Sequence, residues 1–304
     1  MPATKEAELA PLIEMSARIG SDPLLVQAGT GNTSVKLDGV LWIKASGKWL
    51  ARAQEDETFV AVDLAATGKP LSQSPGLRPS IETAMHAVLP HRVVIHTHSI
   101  HTIAWAVRQD GREQIAERLA GMRWRWIPYT PSGVPLAREI EKRMEGADVF
   151  ILANHGLVVC GDSVEEAEAL LVEADARLAV GPRSIPPPDY ESLIRLTDCT
   201  EWRLPDVEEL HALGTDPVSR RIVSAGTLYP CQALFFGRRK RFLIVDGCGI
   251  VVHENITPAE TAMLAGLMEV AQRIAPGAPL RYLTESEVAA VLSADVYRSS
   301  SSGR

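Results

Sequence analysis

Two histidines near the end of a predicted buried strand are the first candidates for chemistry. The run Val93-Val-Ile-His-Thr-His98 begins with apolar, β-branched residues, which is typical of a buried strand. Successive side chains of a strand point to opposite faces, so His96 and His98 share a face with Cβ atoms roughly 6–7 Å apart. Two imidazoles at that spacing can hold one metal ion. A pair of solvated histidines is the alternative, and the pattern alone leaves both open.

A third imidazole is available from His155, which stands between a predicted buried strand over 149–153 and Gly156. A lone histidine in such a position is more often a hydrogen-bonded structural residue. Three histidines together leave one coordination position open, the arrangement of a catalytic rather than a structural zinc. The sequence does not bring the two strands together, and His101 is a reserve ligand.

Glu82 is the candidate acid or base. The segment Arg78-Pro-Ser-Ile-Glu82 opens a predicted short helix to about residue 88, with Ser80 as its N-cap. A carboxylate in the first helical turn is ordinarily one stabilised by the helix dipole. Beside a metal-bound substrate it could instead move protons. His86 shares its helix face, so it could orient Glu82 or simply pack.

Small polar residues in three predicted loops could form a cradle for a phosphate group. They are Gly31, Asn32, Ser46, Gly47 and Ser80. A cradle needs uncovered backbone N–H groups, hydroxyl or amide donors and a helix N-terminus. Each loop taken singly is equally well explained as ordinary turn chemistry. Lys44 and Lys48 are expected to be solvated, though either could screen a phosphate.

The elements that must position these residues divide the chain near Pro186-Pro-Pro188. A large α/β region over 1–185 is expected, followed by a smaller α+β unit over 190–304. The first region carries predicted helices over 6–19, 103–108, 113–119, 137–144 and 164–180, strands over 59–63, 124–127 and 157–160, and a hairpin of 33–37 and 40–44 around Asp38-Gly39. The second carries predicted strands over 232–236, 242–245 and 250–253, and helices beginning at Thr257 and Thr284.

Composition narrows the class of protein. The 304 residues are 46% hydrophobic and 23% charged, with a net charge of −7, so a globular protein without a nucleic-acid footprint is expected. The four cysteines lack C-x-x-C spacing and suggest reduced thiols in the cytoplasm. The first residues do not read as a signal peptide, and no apolar run has membrane-spanning length. The serine-rich stretch at 299–303 predicts a disordered tail.

Five motifs, in order, carry a family resemblance. Gly31-Asn-Thr-Ser34, Ala45-Ser-Gly47, Pro79-Ser-Ile-Glu82, His96-Thr-His98 and Asn154-His-Gly156 resemble the class II aldolase/adducin family. The match is closest to the aldolase part of rhamnulose-phosphate aldolase-like proteins and covers about residues 5–180. Arg281-Tyr-Leu-Thr284 is similar to the extension of that subgroup, though less specifically.

The resemblance implies a three-layer α/β/α sandwich on a mostly antiparallel sheet. It also implies that His96, His98 and His155 bind a divalent metal, usually zinc, that Glu82 is the acid/base, and that the five cradle residues contact the substrate phosphate. Members form oligomers, often tetramers, with sites at subunit contacts. Tyr129 and Tyr190 are the candidates here for the tyrosines that act across those contacts, and Ile81 stands where the family's aldolases often have a small polar residue.

The function expected from these residues is a metal-dependent lyase that acts on a small sugar or ketose phosphate. A sugar-phosphate dehydratase, which also shows Ser-Gly-Lys and His-Thr-His-Ser, suits the same site. An epimerase would be expected to carry aspartate at position 82. A non-catalytic, adducin-like scaffold would need neither the three histidines nor Glu82.

Overall fold

The structure of the chain, a computed structural model, describes residues 5–65 and 76–293, with side chains from residue 7 onward. The serine-rich stretch expected to form a tail lies outside these residues. No helix in the described part of the chain is both long and apolar enough to cross a membrane.

The first part of the chain alternates helices with strands. Its strands are β1 (Asn32–Leu37), β2 (Val40–Lys44), β3 (Phe59–Asp63), β4 (Val93–Thr97), β5 (Trp124–Ile127), β6 (Val149–Leu152) and β7 (Gly156–Gly161). Its helices are α1 (Lys5–Gly20), α2 (Thr83–Val88), α3 (Ile100–Ala106), α4 (Gly111–Arg118), α5 (Val134–Glu141) and α6 (Val164–Leu178).

These strands form one sheet in the order β3-β2-β1-β4-β7-β6-β5. Neighbouring strands are antiparallel, except that β5 and β6 are parallel. Val93 and Ile95 of β4 pack against α1, α4 and α6 on one face, and Val94 packs against α2 and α5 on the other. Because side chains alternate along a strand, both faces are covered. The expected sandwich on a mostly antiparallel sheet is confirmed.

The second part of the chain is mainly helical. It contains α7 (Tyr190–Thr197), β8 (Trp202–Arg203), α8 (Ala212–Thr215), α9 (Pro217–Ala225), α10 (Pro230–Phe236), β9 (Phe242–Val245), β10 (Gly249–His253), α11 (Pro258–Arg273) and α12 (Glu285–Ser293). Its strands form a small antiparallel sheet in the order β8-β10-β9. Ile100, Ile103 and Val107, from α3 and its end, pack into one apolar core with Leu264 and Leu267 of α11. The second part therefore packs against α3, the helix that follows the histidine strand.

Two local predictions were wrong. Residues 232–236 are not a strand but lie in α10, which has Pro230 at its first position. Proline is favoured there because its fixed φ suits a helix and its missing N–H would have no partner. Helix α2 begins at Thr83, with Glu82 rather than Ser80 at the N-cap. The Ser80 hydroxyl instead accepts from the backbone N–H of Glu82 (3.2 Å), within the turn that precedes the helix.

Candidate active site

Three histidine side chains converge at one edge of the sheet. His96 lies opposite Asn32 of β1 and Val158 of β7 in the strand register, and His155 lies in the β6–β7 turn. The ring centroids of His96, His98 and His155 are 4.9–5.1 Å apart. One ring nitrogen from each lies within 4.8 Å of the others, and all three residues are buried. The structure thus brings together the three histidines that the sequence singled out.

The ring orientations leave ligand atoms free. The Nδ1–H group of His96 donates to the Leu157 carbonyl (3.0 Å), so Nε2 is the atom left to bind a metal. That nitrogen is fully buried and has no hydrogen-bond partner among the described residues. A buried polar atom without a partner is costly, and coordination to a metal would remove the cost. Burial also lowers the pKa of His155 to about 4 and that of His98 well below its usual value, which keeps both imidazoles in the neutral, metal-binding form.

Glu82 faces the same point as the three rings. Its Oε2 lies 3.3 Å from His96 Nε2 and its Oε1 lies 3.3 Å from His155 Nε2. The carboxylate also accepts from Asn32 Nδ2 (2.9 Å) and from the Ser132 hydroxyl (3.2 Å). Burial opposes ionisation, but the neighbouring imidazoles and the Asn32 amide outweigh it and hold the pKa of Glu82 below its usual range. Glu82 is therefore a carboxylate at neutral pH.

His86 reaches Glu82 through Asn32. Its Nε2 lies 2.5 Å from Asn32 Oδ1 and its Nδ1 lies 2.7 Å from the Ser34 hydroxyl. Burial lowers the pKa of His86 to about 3, so the neutral ring has one N–H group to give. Donation from Nε2 fixes the Asn32 amide with its NH₂ group toward Glu82. Of the two roles that the sequence left open for His86, orientation is the one that these contacts favour.

The turn that carries His155 is held from both parts of the chain. Asn154 has a left-handed φ of 53°, which asparagine tolerates better than most residues. Its amide donates to the carbonyls of Leu228 and Arg281 (2.8 Å each), and the Arg281 guanidinium donates back to its oxygen (3.0 Å). A Cβ at Gly156 would lie 2.3 Å from the Thr97 carbonyl. Only glycine allows β7 to approach β4 this closely.

A cavity of about 350 Å³ adjoins these groups, a size that suits a small ligand. All five residues expected to form the phosphate cradle line it, and so do Glu82, His98 and His155. Within the cradle, Gly31 adopts a φ of 60°, and a Cβ there would lie 2.9 Å from the His96 carbonyl. The cradle, Glu82 and two of the three clustered histidines therefore share one cavity.

Lys44 differs from its expected solvated state. It is 2% exposed, and its Nζ donates to the carbonyls of Gly29 (2.5 Å) and Thr30 (3.2 Å). Burial lowers its pKa to about 7. The ammonium group lies at the Gly29–Gly31 loop and lines the cavity, whereas Lys48 forms an ion pair with Asp56 (3.6 Å). A lysine in a strand is usually exposed, so nothing in the local sequence indicated its burial.

One wall of the cavity was missed by sequence reasoning. It comes from α10, the segment that follows it and the start of α11, through Pro230, Cys231, Leu234, Phe235, Arg238, Arg239, Arg241, Thr257, Ala259 and Glu260. The Cys231 sulfur lies 3.5 Å from His98 Nδ1, and burial raises the pKa of this thiol to about 12. The run Arg238-Arg-Lys-Arg241 was the available signal, but a charged run is usually solvated.

Three other candidates lie away from the cluster. His101 Nδ1 accepts from the Val180 backbone N–H (3.2 Å), so its role as a reserve ligand is wrong. Tyr129 lies under the Arg281 guanidinium, 4.9 Å from ring centroid to Cζ, and the Tyr190 hydroxyl donates to Glu208 (2.6 Å). Neither tyrosine lines the cavity, and their action across a subunit contact stays a prediction.

Comparisons with known proteins agree with the geometry. A protein of Bacillus subtilis named uncharacterized oxidoreductase YuxG is 31% identical over 185 residues, which are 51% of this chain and 26% of that protein. The chain thus spans about a quarter of the length of that relative. The L-fuculose phosphate aldolase of Methanococcus vannielii is 30% identical over 154 residues, 48% of this chain and 80% of that protein.

A solved structure has the same fold over the first part of the chain. It is the N-terminal class II aldolase domain of a conserved protein from Thermoplasma acidophilum, with a TM-score of 0.51 and 29% identity over 59% of this chain and 95% of that one. The family model described as Class II Aldolase and Adducin N-terminal domain matches residues 11–181. More than half of the chain fits that model, and the chain therefore belongs to the class II aldolase and adducin family.

Proposed function

We propose that the protein is a metal-dependent lyase that cleaves or forms a carbon–carbon bond in a small sugar phosphate. The observation that carries the proposal is the convergence of three buried imidazoles and one ionised carboxylate beside a cavity that the cradle residues also line. A scaffold would have no need for this combination. A dehydratase or an epimerase could use the same groups, but no contact at the site favours either one.

His96, His98 and His155 are proposed to hold one divalent ion, with zinc the best match to an all-imidazole ligand set. The buried, unpartnered Nε2 of His96 supports this assignment. When bound, such an ion supplies Lewis-acid stabilisation of the negative charge that develops on substrate oxygens. The Leu157 carbonyl fixes which nitrogen of His96 faces the ion, as outer-shell partners of metal ligands commonly do.

Glu82 is proposed to move the proton. Its ionised carboxylate takes a proton from the substrate as the bond breaks and returns one to the carbon that is left electron-rich. Asn32 and Ser132 hold one carboxylate oxygen each, so the group is already oriented when substrate arrives. Orientation of this kind is a large part of the effect of a catalytic base.

Gly31, Asn32, Ser46, Gly47 and Ser80 are proposed to bind the phosphate, with the ammonium group of Lys44 nearby. The phosphate does not react, so its binding holds the substrate in place in both the ground and the transition state.

We also propose that the protein is a cytoplasmic homo-oligomer, such as a tetramer. All four cysteines are free thiols, which agrees with a reducing compartment, and light scattering would measure the assembly.

Metal analysis tests the ligand assignment. The purified protein is expected to hold about one divalent ion per chain, and His96→Ala and His155→Ala should lose it, because two imidazoles cannot complete a site of this kind. His101→Ala is the matched control and should keep the ion. Stoichiometric metal in both ligand variants, measured by elemental analysis on folded protein, would rule out the site.

Glu82→Gln tests the mechanism. The substitution keeps the shape of the side chain and removes its basicity, so turnover of a ketose phosphate should fall roughly 10²–10⁴-fold. Metal content should stay near that of the wild type, because Glu82 is not proposed as a ligand. Glu117→Gln, at an exposed position of α4, is the control. Loss of metal would make Glu82 a ligand, near-normal turnover would exclude it as the base, and absence of turnover in every protein would favour the scaffold.

A further inference from the structure

The cavity has two walls of different origin. The sheet edge supplies the histidines, Glu82 and the phosphate cradle, all before residue 156. The facing wall is made by α10, the segment that follows it and the start of α11. None of the steps proposed above uses a charged group of this second wall. The charged residues of the second wall therefore call for a separate explanation of what they bind.

One arginine of the second wall is neutralised by a built-in partner. Arg241 Nε lies 2.6 Å from Glu260 Oε1, and both side chains are largely buried, at 14% and 13% exposure. Glu260 also completes a capping box with Thr257 at the start of α11. This pair holds the segment after α10 against α11, so Arg241 is a structural residue.

The other two arginines keep their charge. The Arg238 guanidinium donates to the backbone carbonyl of Leu292, a neutral acceptor that orients the group without cancelling its charge. Arg239 has no hydrogen bond or ion pair with any residue in the described ranges. Both side chains are exposed and line the cavity. The acidic residues that share this lining, Glu82 and Glu260, are already engaged elsewhere.

The phosphate has a countercharge on its own side of the cavity. The ammonium of Lys44 lies at the Gly29–Gly31 loop, and the cradle supplies neutral donors. Two further guanidinium groups on the facing wall are available to a second anionic group of the ligand. A guanidinium matches the two oxygens of a carboxylate through parallel N–H donors.

We infer that Arg238 and Arg239 form a subsite for a carboxylate, so that the substrate is a phosphorylated sugar acid rather than a neutral sugar phosphate. This inference rests on the proposed function, since it assumes that the phosphate occupies the cradle. It assigns the second part of the chain a role: residues 237–241 select the substrate, while the first part supplies the chemistry. Arg238 and Arg239 are specificity-determining residues and not catalytic ones.

Binding of two matched ligands tests the subsite. Erythronate 4-phosphate and erythritol 4-phosphate differ only in having a carboxylate or a hydroxymethyl group at one end. By calorimetry on the metal-loaded protein, the wild type should bind the acid at least about tenfold more tightly, the effect of one charge-assisted hydrogen bond. The double substitution Arg238→Ala/Arg239→Ala should remove this preference and leave the affinity for erythritol 4-phosphate within about twofold. Lys240→Ala removes a neighbouring charge outside the cavity, and this variant should keep the preference for the acid.

The outcomes separate this inference from the proposed function. Equal affinities in the wild type, or a preference that survives the double substitution, would overturn the subsite. Equal weakening of both ligands by the double substitution would mean that the arginines hold the phosphate, and would overturn it too. Erythronate and erythritol, without phosphate, repeat the comparison independently of the cradle. If phosphate adds nothing to affinity and Asn32→Ala changes nothing, the cradle fails, while a preference for erythronate would still support the arginines. Absence of binding by all four ligands would count against both.

Discussion

His86 shows how one residue can orient the proposed base, Glu82, without touching it. Because its neutral ring has a single N–H, donation to Asn32 Oδ1 decides which end of that amide faces Glu82. The amide nitrogen also lies 3.2 Å from the Ser80 hydroxyl. The orientation of Asn32 therefore links the base to the phosphate cradle, and His86 sets both.

His86→Leu should release this amide while leaving the metal ligands in place. Turnover is expected to fall by roughly 10–100-fold, the usual effect of losing an outer-shell partner, and metal content should not change. His91→Leu is the control, because His91 pairs with Asp148 away from the cavity (3.1 Å). Steady-state kinetics with a separate kcat and KM decides: an unchanged kcat in a folded, metal-loaded His86→Leu protein would contradict the role.

Lys44 should make stability depend on pH. Its pKa falls from 10.5 to about 7 on burial, with a smaller opposing effect from Glu82. Between these values the unfolded chain binds more protons than the folded one, so this residue makes the folded state more stable as pH rises through the window. Lys44→Met removes the dependence. Urea titrations between about pH 7.5 and 9.5 should show the wild type gaining stability relative to this variant, whereas Lys48→Met should parallel the wild type. If the stability of Lys44→Met changed with pH in parallel with that of the wild type, the proposed effect of Lys44 would be refuted.

At the scale of elements, the sequence correctly predicted the features that depend on neighbouring residues alone. The alternation of side chains in β4 put His96 and His98 on one side, and Asp38-Gly39 predicted the β1–β2 turn, where both residues have positive φ. The strand predicted over 232–236 was wrong because a short, mostly apolar run has the same appearance in a helix and in a strand. The approach of His155 depends on the pairing of β7 with β4, and that pairing is a long-range contact with no local signal.

Gly156→Ala tests this pairing. The added methyl group would meet the Thr97 carbonyl and the backbone of His98, and β7 would have to move away from β4. The free energy of unfolding should fall by about 1–3 kcal/mol, the usual cost of overpacking, and metal affinity should fall with it. Gly181→Ala is the control, because a Cβ there meets nothing within 4 Å. Chemical denaturation and metal titration provide the two measurements, and a Gly156→Ala protein that matches the control in both would contradict the argument.

At the scale of the whole molecule, the two parts of the chain share a core. The apolar cluster around α11 includes Ile100, Ile103 and Val107 of the first part. Removing residues 186–304 would expose that surface to water. The remaining fragment is expected to aggregate or to unfold at much lower denaturant concentration than the full chain, because a large apolar patch on a surface promotes association. Size-exclusion chromatography and circular dichroism would show this. A monomeric fragment with full stability would instead establish an independent domain.

The two walls of the cavity also affect how the substrate specificity of such a protein can evolve. The groups proposed for chemistry all lie at or before residue 155, and a seven-stranded sheet fixes their spacing. Arg238 and Arg239 of the facing wall follow α10, in a segment where both side chains are exposed and substitutions are readily tolerated. Mutation there can alter which molecule is accepted without disturbing the sheet edge. Related proteins that share this sheet edge can therefore differ in the substrate they accept while keeping the same reaction.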